Sequence, residues 1–434
     1  MLEYLKLRNV GPAPEMEMRL AKRLNIITGD NGLGKTFLLD AAWWALTRKW
    51  PRELNPRLTF GYKALPTDPK RTATIEFQLT LKVKSVAYKS TWKPRDEAWV
   101  GNAGRPWNPG LVIYAHADGG FSVWDPARNY WKKKGNIDIQ ERLPGFVFSN
   151  EEVWQGLYAN IDGKPTKVCN GLLDDWSVWI KENGSNAQLM RAILHDLLPK
   201  GEFLGMGPLA RLSVNESQDI PTIRTGYRQS VPIVHASSGV RRIAGLAYMT
   251  MWSWNEHRIA AKLLGEKPTA QVIFLFDELE SHLHPRWQRL ILRALLDVTK
   301  ALHAQAKVQL IIATHSPLIL ASAEPWFDSD TDSWFDLDCN DEKVALTKRA
   351  YIRRGEVSNW LTSEAFDLKS ARSVEAENAI ERALFLLRKS NPSRESIKEA
   401  DAALRAAGLP DIDPFWIRWG KFVEDSTAGS RRKR

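Results

Sequence analysis

Residues 29–36, with the sequence GDNGLGKT, combine residue types at a spacing that could bind phosphate. The pattern is a glycine, four residues and Gly-Lys-Thr, which brings backbone amides close to an anion. The apolar run 24–28 predicts a strand before this loop, and 37–46 has helical spacing after it. A helix N-terminus there would direct free N–H groups at the anion. These flanking elements favour a phosphate-binding loop over a chance Gly-Lys-Thr.

The chemistry expected of this loop is nucleotide binding with Mg²⁺. Lys35 can reach the outer phosphates, and the Thr36 hydroxyl can ligate the metal ion. The candidate nucleotide-binding residues of the loop are Gly29, Asp30, Asn31, Gly32, Gly34, Lys35, Thr36 and Phe37.

Polar residues follow two other predicted buried strands, 271–276 and 308–313. Asp277 could hold Mg²⁺, and Glu278 could orient or deprotonate an attacking water. His315 could contact the γ-phosphate or that water. An Asp-Glu pair can also cap a helix, and a lone histidine is often structural. Because both groups accompany a phosphate loop, we predict that Glu278 and His315 are catalytic and that Asp277 binds metal.

Ser237, Ser238 and Gly239 precede a helix predicted over 240–264, which gives a second helix N-terminus suited to an anion. One triphosphate rarely needs two such sites, so we expect two chains packed head to tail, each completing the other's site. Arg241 and Arg242 lie in the first helical turn, where the helix dipole disfavours cations. They are interpreted as anion contacts, with a surface ion pair as the alternative.

Strands alternating with helices behind the loop predict an α/β fold with a mainly parallel sheet. We expect an N-terminal lobe with antiparallel strands, a helical insert, a C-terminal lobe with the remaining site residues, and a helical C-terminal region. Their expected ranges are 1–150, 151–235, 236–355 and 356–434. The basic tail 431–434 is expected to be disordered.

Composition limits the possible partners and compartment. The 434 residues carry a formal net charge of +10, which suits a polyanion such as nucleic acid but also fits a solvated basic surface. Two cysteines cannot form a disulfide framework. No apolar run is long enough to span a membrane, so we expect a soluble cytoplasmic protein.

The order of these motifs resembles that of ABC-type ATPases in the RecF, SMC and OLD branch, and the string DELESHLHP at 277–285 is especially similar to OLD-type relatives. The resemblance implies a dimer with ATP and Mg²⁺ held between subunits. It implies that Ser237, Ser238 and Gly239 form the signature that contacts the partner's ATP. Ala236 and Val240 depart from the usual signature. For the Gln-bearing loop, or Q-loop, two candidates lie in the right interval of the sequence, Gln155 and the segment 149–151.

Further strings, such as FVFSNEEVWQGL and VPIVHASSGVRR, resemble bacterial anti-phage ATPases of the Septu or retron-associated PtuA type. That resemblance implies an effector partner, an HNH nuclease, and leaves open contact with DNA or retron nucleic acid. Asp336 and Asp338 have the spacing of a Toprim nuclease motif, but no suitable glutamate accompanies them, and we expect a closing strand there. The alternative functions are a RecF-like DNA-repair clamp and a nucleotide-locked oligomeric scaffold.

Overall fold

The structure of the chain is a computed structural model. This structure describes residues 1–80, 84–101, 108–128, 145–161, 163–227, 229–302, 306–389 and 392–431.

The strands within these ranges follow in chain order. They are β1 (Leu2–Arg8), β2 (Glu15–Arg19), β3 (Leu24–Gly29), β4 (Thr74–Thr80), β5 (Ser85–Lys93), β6 (Ala98–Val100), β7 (Leu111–Ala115), β8 (Phe121–Trp124), β9 (Phe146–Phe148), β10 (Leu157–Ile161), β11 (Lys164–Cys169), β12 (Leu204–Ala210), β13 (Ile220–Thr225), β14 (Ser230–Pro232), β15 (Gln271–Asp277), β16 (Lys307–Ala313), β17 (Asp332–Asn340) and β18 (Lys343–Arg349).

The α-helices are described in the same way. They are α1 (Lys35–Thr47), α2 (Pro51–Leu54), α3 (Asn150–Gln155), α4 (Leu172–Glu182), α5 (Ser185–Asp196), α6 (Ser238–Leu263), α7 (Pro285–Leu302), α8 (Pro317–Ala323), α9 (Val357–Leu361), α10 (Val374–Arg388), α11 (Arg394–Ala406) and α12 (Phe415–Arg431).

The central sheet has the strand order β18-β17-β3-β16-β15-β7-β8-β9 among the described residues. Its five middle strands, from β17 to β7, run parallel, whereas β18, β8 and β9 are antiparallel to their neighbours. The central strand β15 is buried along its whole length, as expected for a strand covered on both faces. The carboxyl ends of parallel strands meet at one edge, so the residues after β3, β15 and β16 converge there. The predicted mainly parallel sheet is confirmed.

Helix α1 is buried on nearly all sides because it packs between the central sheet and a second, antiparallel sheet. The second sheet has the order β2-β1-β4-β5-β6 and confirms the predicted N-terminal antiparallel part. A helix that is apolar all round belongs inside a core. Alternate positions of both sheets supply the side chains around it, including Leu5, Leu7, Ile75, Phe77, Val112, Ile273, Leu275 and Ile311. The helix that follows the phosphate loop is therefore firmly anchored.

Residues 151–235, which we expected to be a helical insert, combine helices with short strands. Helices α4 and α5 were anticipated, but the hairpin β10–β11 and the three-stranded sheet β12-β13-β14 were not. Glycine and proline interrupt these strands, as in the β12 sequence LGMGPLA. Such residues remove the apolar alternation by which a strand is recognised.

Two compact units divide the chain, Met1–Gly355 and Glu356–Arg434. The second unit has its own apolar cluster, which includes Ala383, Leu404 and Trp419. Helix α12 continues to Arg431, and the rest of the predicted basic tail lies outside the described residues. The three lobes expected within the first unit remain a prediction. Among the described helices, none is both long and apolar enough to cross a membrane.

Candidate functional site

The loop between β3 and α1 has backbone conformations that glycine adopts most readily. Gly29 has a φ of 135°, and Gly34, the N-cap residue just before α1, has a φ of 100°. A Cβ atom on Gly29 would lie 2.2 Å from the carbonyl oxygen of Leu337 in β17, and one on Gly34 would lie 2.7 Å from Cγ of Pro12. Both approaches are too close for any side chain. The loop is therefore shaped by its glycines and by the elements that pack on it.

Lys35 is held inside this loop. Its Nζ donates hydrogen bonds to the carbonyl oxygens of Gly29 at 2.7 Å and Asp30 at 2.8 Å. Burial lowers the pKa of its amino group, and the nearby charges of Asp277 and Glu278 act in the opposite direction. An anion in the loop would compensate this desolvated cation.

Thr36 and Asp277 lie in direct contact although 241 residues separate them in the sequence. The Thr36 hydroxyl donates a 2.8 Å hydrogen bond to Oδ2 of Asp277, at the end of β15. Burial raises the pKa of Asp277 to about 6, and the hydrogen bond from Thr36 offsets part of this increase. A hydroxyl beside a buried carboxylate is a pair of oxygen ligands of the kind that Mg²⁺ prefers.

Glu278 follows directly and has a left-handed backbone with a φ of 47°. Its N–H donates to the carbonyl oxygen of Ala313 at 3.1 Å, which keeps it at the end of the neighbouring strand β16. A non-glycine residue in this conformation is uncommon and costs free energy, as residues at functional sites often do.

His315 lies just beyond the end of β16 and is about half-buried. Its N–H donates a 2.7 Å hydrogen bond to Oε1 of Glu280, a buried carboxylate two residues after Glu278. Burial lowers the pKa of the His315 imidazole, and the charge of Lys35 lowers it further. The ring is therefore neutral near pH 7 and can act as a hydrogen-bonding group rather than as a cation.

The predicted signature is placed differently from the other candidates. Ser237 caps α6 by accepting a hydrogen bond from the N–H of Val240, and Ser237 and Ser238 are exposed. Gly239 is buried, and a Cβ on it would lie 2.8 Å from the carbonyl oxygen of His282. Among the described residues, no hydrogen bond or ion pair joins 237–239 to 29–37. Within the described part of one chain, the signature residues therefore make no polar contact with the phosphate loop.

The two arginines after the signature have different environments. Arg241 is exposed, and its side chain has no hydrogen bond or ion pair within the described ranges. Arg242 points inward and donates to the carbonyl oxygens of His116 at 2.8 Å and Asp277 at 3.4 Å. Contact of both arginines with an anion stays a prediction, and the two carbonyl oxygens already orient Arg242. Adjacent helical residues point about 100° apart, so one of them faces the interior.

The remaining loop residues are partly accessible. Asp30, Asn31 and Gly32 form an exposed tip, whereas the ring of Phe37 packs against the backbone of Gly11. A Cβ on Gly11 would lie only 2.4 Å from Cε1 of Phe37. The turn between β1 and β2 therefore supports the loop from the antiparallel sheet.

The two Q-loop candidates lie at opposite ends of helix α3. Gln155 is exposed at the end of α3, and Ser149 caps that helix by accepting from the N–H of Glu152. The amide of Asn150 donates to the carbonyl oxygen of Asp118, in the turn that follows β7.

Asp336 belongs to the central sheet, as predicted. It lies in β17 beside β3 and accepts hydrogen bonds from the Thr28 hydroxyl at 2.8 Å and from Arg349. Three or more His, Cys, Asp or Glu side chains grouped for metal binding do not occur in the described part of the chain. The predicted closing strand is confirmed.

Asp40 was not identified from the sequence. It lies one turn after Thr36 and accepts a 3.1 Å hydrogen bond from the hydroxyl of Tyr114 in β7. Burial raises the pKa of its carboxyl group to about 7. An aspartate in an apolar helix was the available signal, and its meaning depends on β7, which is distant in sequence.

The site fits a nucleotide and a divalent cation. Backbone amides of a glycine loop, a buried lysine and a paired hydroxyl and carboxylate are suited to phosphate with Mg²⁺. Together with the sheet order, they define an ABC-type P-loop ATPase head. The family model for the AAA domain, whose description also names the AbiEii toxin and the type IV toxin–antitoxin system, matches residues 24–321. The chain belongs to this AAA domain family.

One curated relative and several solved structures are similar to the chain. The Septu protein PtuA of Bacillus thuringiensis is 19% identical over 329 residues, which cover 73% of this chain and 72% of the relative. The SMC head bound to the C-winged helix domain of ScpA is 14% identical, covers 80% of this chain and 98% of its own, and has a TM-score of 0.44. RecF of the RecFOR pathway is 13% identical over 81% of this chain and 98% of its own, with a TM-score of 0.37.

Proposed function

We propose that the chain is the ATP-hydrolysing subunit of a bacterial anti-phage defence complex. In this proposal, two copies close on ATP, and the closed state controls a partner effector nuclease, with an HNH enzyme favoured. The contact between Thr36 and Asp277, at the sheet edge that also carries Glu278 and His315, is the observation that carries the ATPase part.

Each residue has a role that its surroundings support. Lys35 and the loop amides bind the phosphates, and Thr36 and Asp277 would hold Mg²⁺. When bound, Mg²⁺ neutralises charge on the phosphate oxygens. Glu278 orients the attacking water and accepts its proton. The neutral His315 ring donates a hydrogen bond towards the γ-phosphate, and Glu280 fixes its backbone.

Exposure of the signature supports the shared site. Ser237 and Ser238 are free to contact another molecule, and the exposed Arg241 adds a positive charge beside them. A second copy packed head to tail would place them against its ATP. The defence role is supported by the similarity to the Septu protein PtuA and by the family description. The effector nuclease is part of the proposal because the resemblance to PtuA-type ATPases implies such a partner.

The ATPase assignment is tested with Glu278→Gln. We expect ATP hydrolysis to fall by about 10²-fold or more, because the water loses its general base. ATP binding should be preserved, since the amide keeps the size of the side chain. Hydrolysis by radiolabelled phosphate release and binding by equilibrium dialysis measure the two effects. The exposed Glu266→Gln is the matched control, and a wild-type rate in Glu278→Gln would refute the assignment.

The shared site is tested separately with Lys35→Ala. We expect this variant to lose both ATP binding and ATP-dependent dimer closure, measured by the particle mass with and without nucleotide. Lys49→Ala, at an exposed position two residues after the same helix, should behave as wild type. Closure that survived Lys35→Ala would contradict a dimer held by ATP. Co-purification with the products of neighbouring genes tests the effector part, and a chain that associates with no nuclease would contradict it.

A further inference from the structure

The small sheet β12-β13-β14 has a cleft of about 490 Å³ that none of the roles above uses. Its lining combines an aromatic ring, a cation, two hydroxyl-bearing residues and a glycine. The lining residues are Phe203, Arg224, Thr225, Gly226 and Ser230.

Two glycines of β12 lie against residues that line this cleft. A Cβ on Gly205 would lie 2.6 Å from Cζ of Phe203, so the ring rests directly on the backbone of β12. A Cβ on Gly207 would lie 2.3 Å from the Thr222 hydroxyl oxygen and 3.2 Å from that of Ser230. The other side of the Phe203 ring is open, since 50% of the residue surface remains exposed.

Arg224 stands beside this ring. In the sheet register it is opposite Gly205 in β12 and Ser230 in β14, and it is exposed. Its side chain makes no hydrogen bond or ion pair with any residue that the structure describes. The acidic neighbour of the ring, Glu202, is engaged elsewhere, because its carboxylate accepts a hydrogen bond from the indole N–H of Trp287. The positive charge in the cleft is therefore not neutralised by that neighbour.

We infer that this cleft binds single-stranded nucleic acid, with one unpaired base stacked on Phe203 and the adjoining phosphate contacted by Arg224. An exposed aromatic ring offers a stacking surface to any base, and a neighbouring guanidinium suits a phosphodiester. A duplex does not present free base faces, so it is disfavoured as an occupant. The net charge of +10 favours approach of a polyanion.

The experiment measures binding of labelled oligonucleotides to the full chain by fluorescence anisotropy, without ATP, so that it does not depend on the ATPase proposal. The probes are oligothymidylate, oligouridylate, a duplex and an abasic strand of equal length. We expect the two single strands with bases to bind more tightly than the duplex and the abasic strand. The first two probes decide between DNA and RNA.

Two substitutions separate stacking from charge. Phe203→Ala should weaken binding of the base-bearing strands by about fivefold or more and leave the abasic strand unaffected. Phe203→Tyr should retain wild-type affinity, because it keeps the ring. Arg224→Ala should weaken all strands and reduce the slope of log affinity against log salt by about 0.7, the value for one phosphate contact.

Arg258→Ala removes an equal charge from an exposed position on α6 and is the control. It should leave affinity and salt slope unchanged. No binding of either single strand by the wild-type chain would overturn the inference. So would equal affinity of Phe203→Ala and wild type, or equal effects of Arg224→Ala and Arg258→Ala, which would indicate only non-specific attraction.

Discussion

Asp277 is buried in the proposed nucleotide site. Its burial destabilises the folded protein as long as no cation is bound beside it. The pKa of Asp277 rises from 3.8 to about 6, which corresponds to a destabilisation of about 3 kcal/mol when the carboxylate is ionised. Well below pH 3.8 the carboxyl is neutral in both folded and unfolded chains, and this destabilisation is absent. As the pH rises towards 6 the unfolded chain ionises first, so stability falls, and above about 6 the loss is complete.

Asp277→Asn should therefore stabilise the nucleotide-free protein at pH 7 by up to about 3 kcal/mol. The amide oxygen can still accept the hydrogen bond from Thr36. The gain should shrink between pH 6 and pH 4, as measured by thermal unfolding across this range. The exposed Asp330→Asn is the control and should show no such trend. A pH-independent gain would contradict ionisation of Asp277 as its origin.

The sequence predicts which residues form the candidate site where a short motif contains them. The phosphate loop, Asp277, Glu278 and His315 are each next to an apolar strand, and parallel strands bring their carboxyl ends together. The roles of Arg242 and Asp40 were not predictable, because each is defined by a partner on β7, β15 or the turn after them. Every residue has a backbone carbonyl group, so the sequence does not indicate which carbonyl oxygen accepts a hydrogen bond from Arg242.

At the scale of elements, the start of α6 depends on its close packing against the segment before α7. Gly239→Ala would place a Cβ 2.8 Å from the carbonyl oxygen of His282. We expect the helix to shift at its first turn, so that ATP-dependent dimer closure is lost while the chain still folds. Analytical ultracentrifugation with ATP measures closure, and circular dichroism measures folding.

Gly245→Ala is a matched control for this change. It lies in the same helix, and its Cβ would have no neighbour within 4 Å. Alanine favours a helix over glycine by about 1 kcal/mol, so this variant should be more stable and should close normally. Normal closure by Gly239→Ala would contradict a role for the signature contact.

Long elements were predicted well and short ones poorly. Helix α6 and strand β15 each have an uninterrupted pattern of sufficient length. The strands β12 to β14 are short and contain glycine and proline, and their pairing depends on α4 and α5. The face that carries Phe203 and Arg224 becomes visible only after that sheet has formed.

At the scale of the whole molecule, the chain divides at Gly355 into units with separate apolar clusters. We expect residues 1–355 alone to fold and to bind ATP with Mg²⁺, because every proposed nucleotide contact lies in that unit. Isothermal titration calorimetry of the shortened chain measures this.

The shortened chain lacks the C-terminal unit altogether. A second variant keeps this unit in the chain but disrupts its fold. Trp419→Ala in the full chain should destabilise that unit by about 3–5 kcal/mol, because it empties the centre of its core. ATP binding should be unchanged. If either variant failed to bind ATP while residues 1–355 remained folded, the C-terminal unit would have to contribute to ATP binding.

Arg242 connects the start of α6 with the end of β15, because it lies near the beginning of that helix and donates a hydrogen bond to the carbonyl oxygen of Asp277. In the proposed dimer, α6 contacts the partner's ATP, whereas Asp277 contacts the chain's own. Any preference of one site for an occupied neighbour must then be reciprocal, because linkage acts equally in both directions. A dimer closed on one ATP already assembles the second site, so we expect ATP binding to be cooperative, with a Hill coefficient above one, and we expect Arg242→Ala to bring it towards one. The proposed dimer would then fill with ATP over a narrow range of ATP concentration instead of gradually.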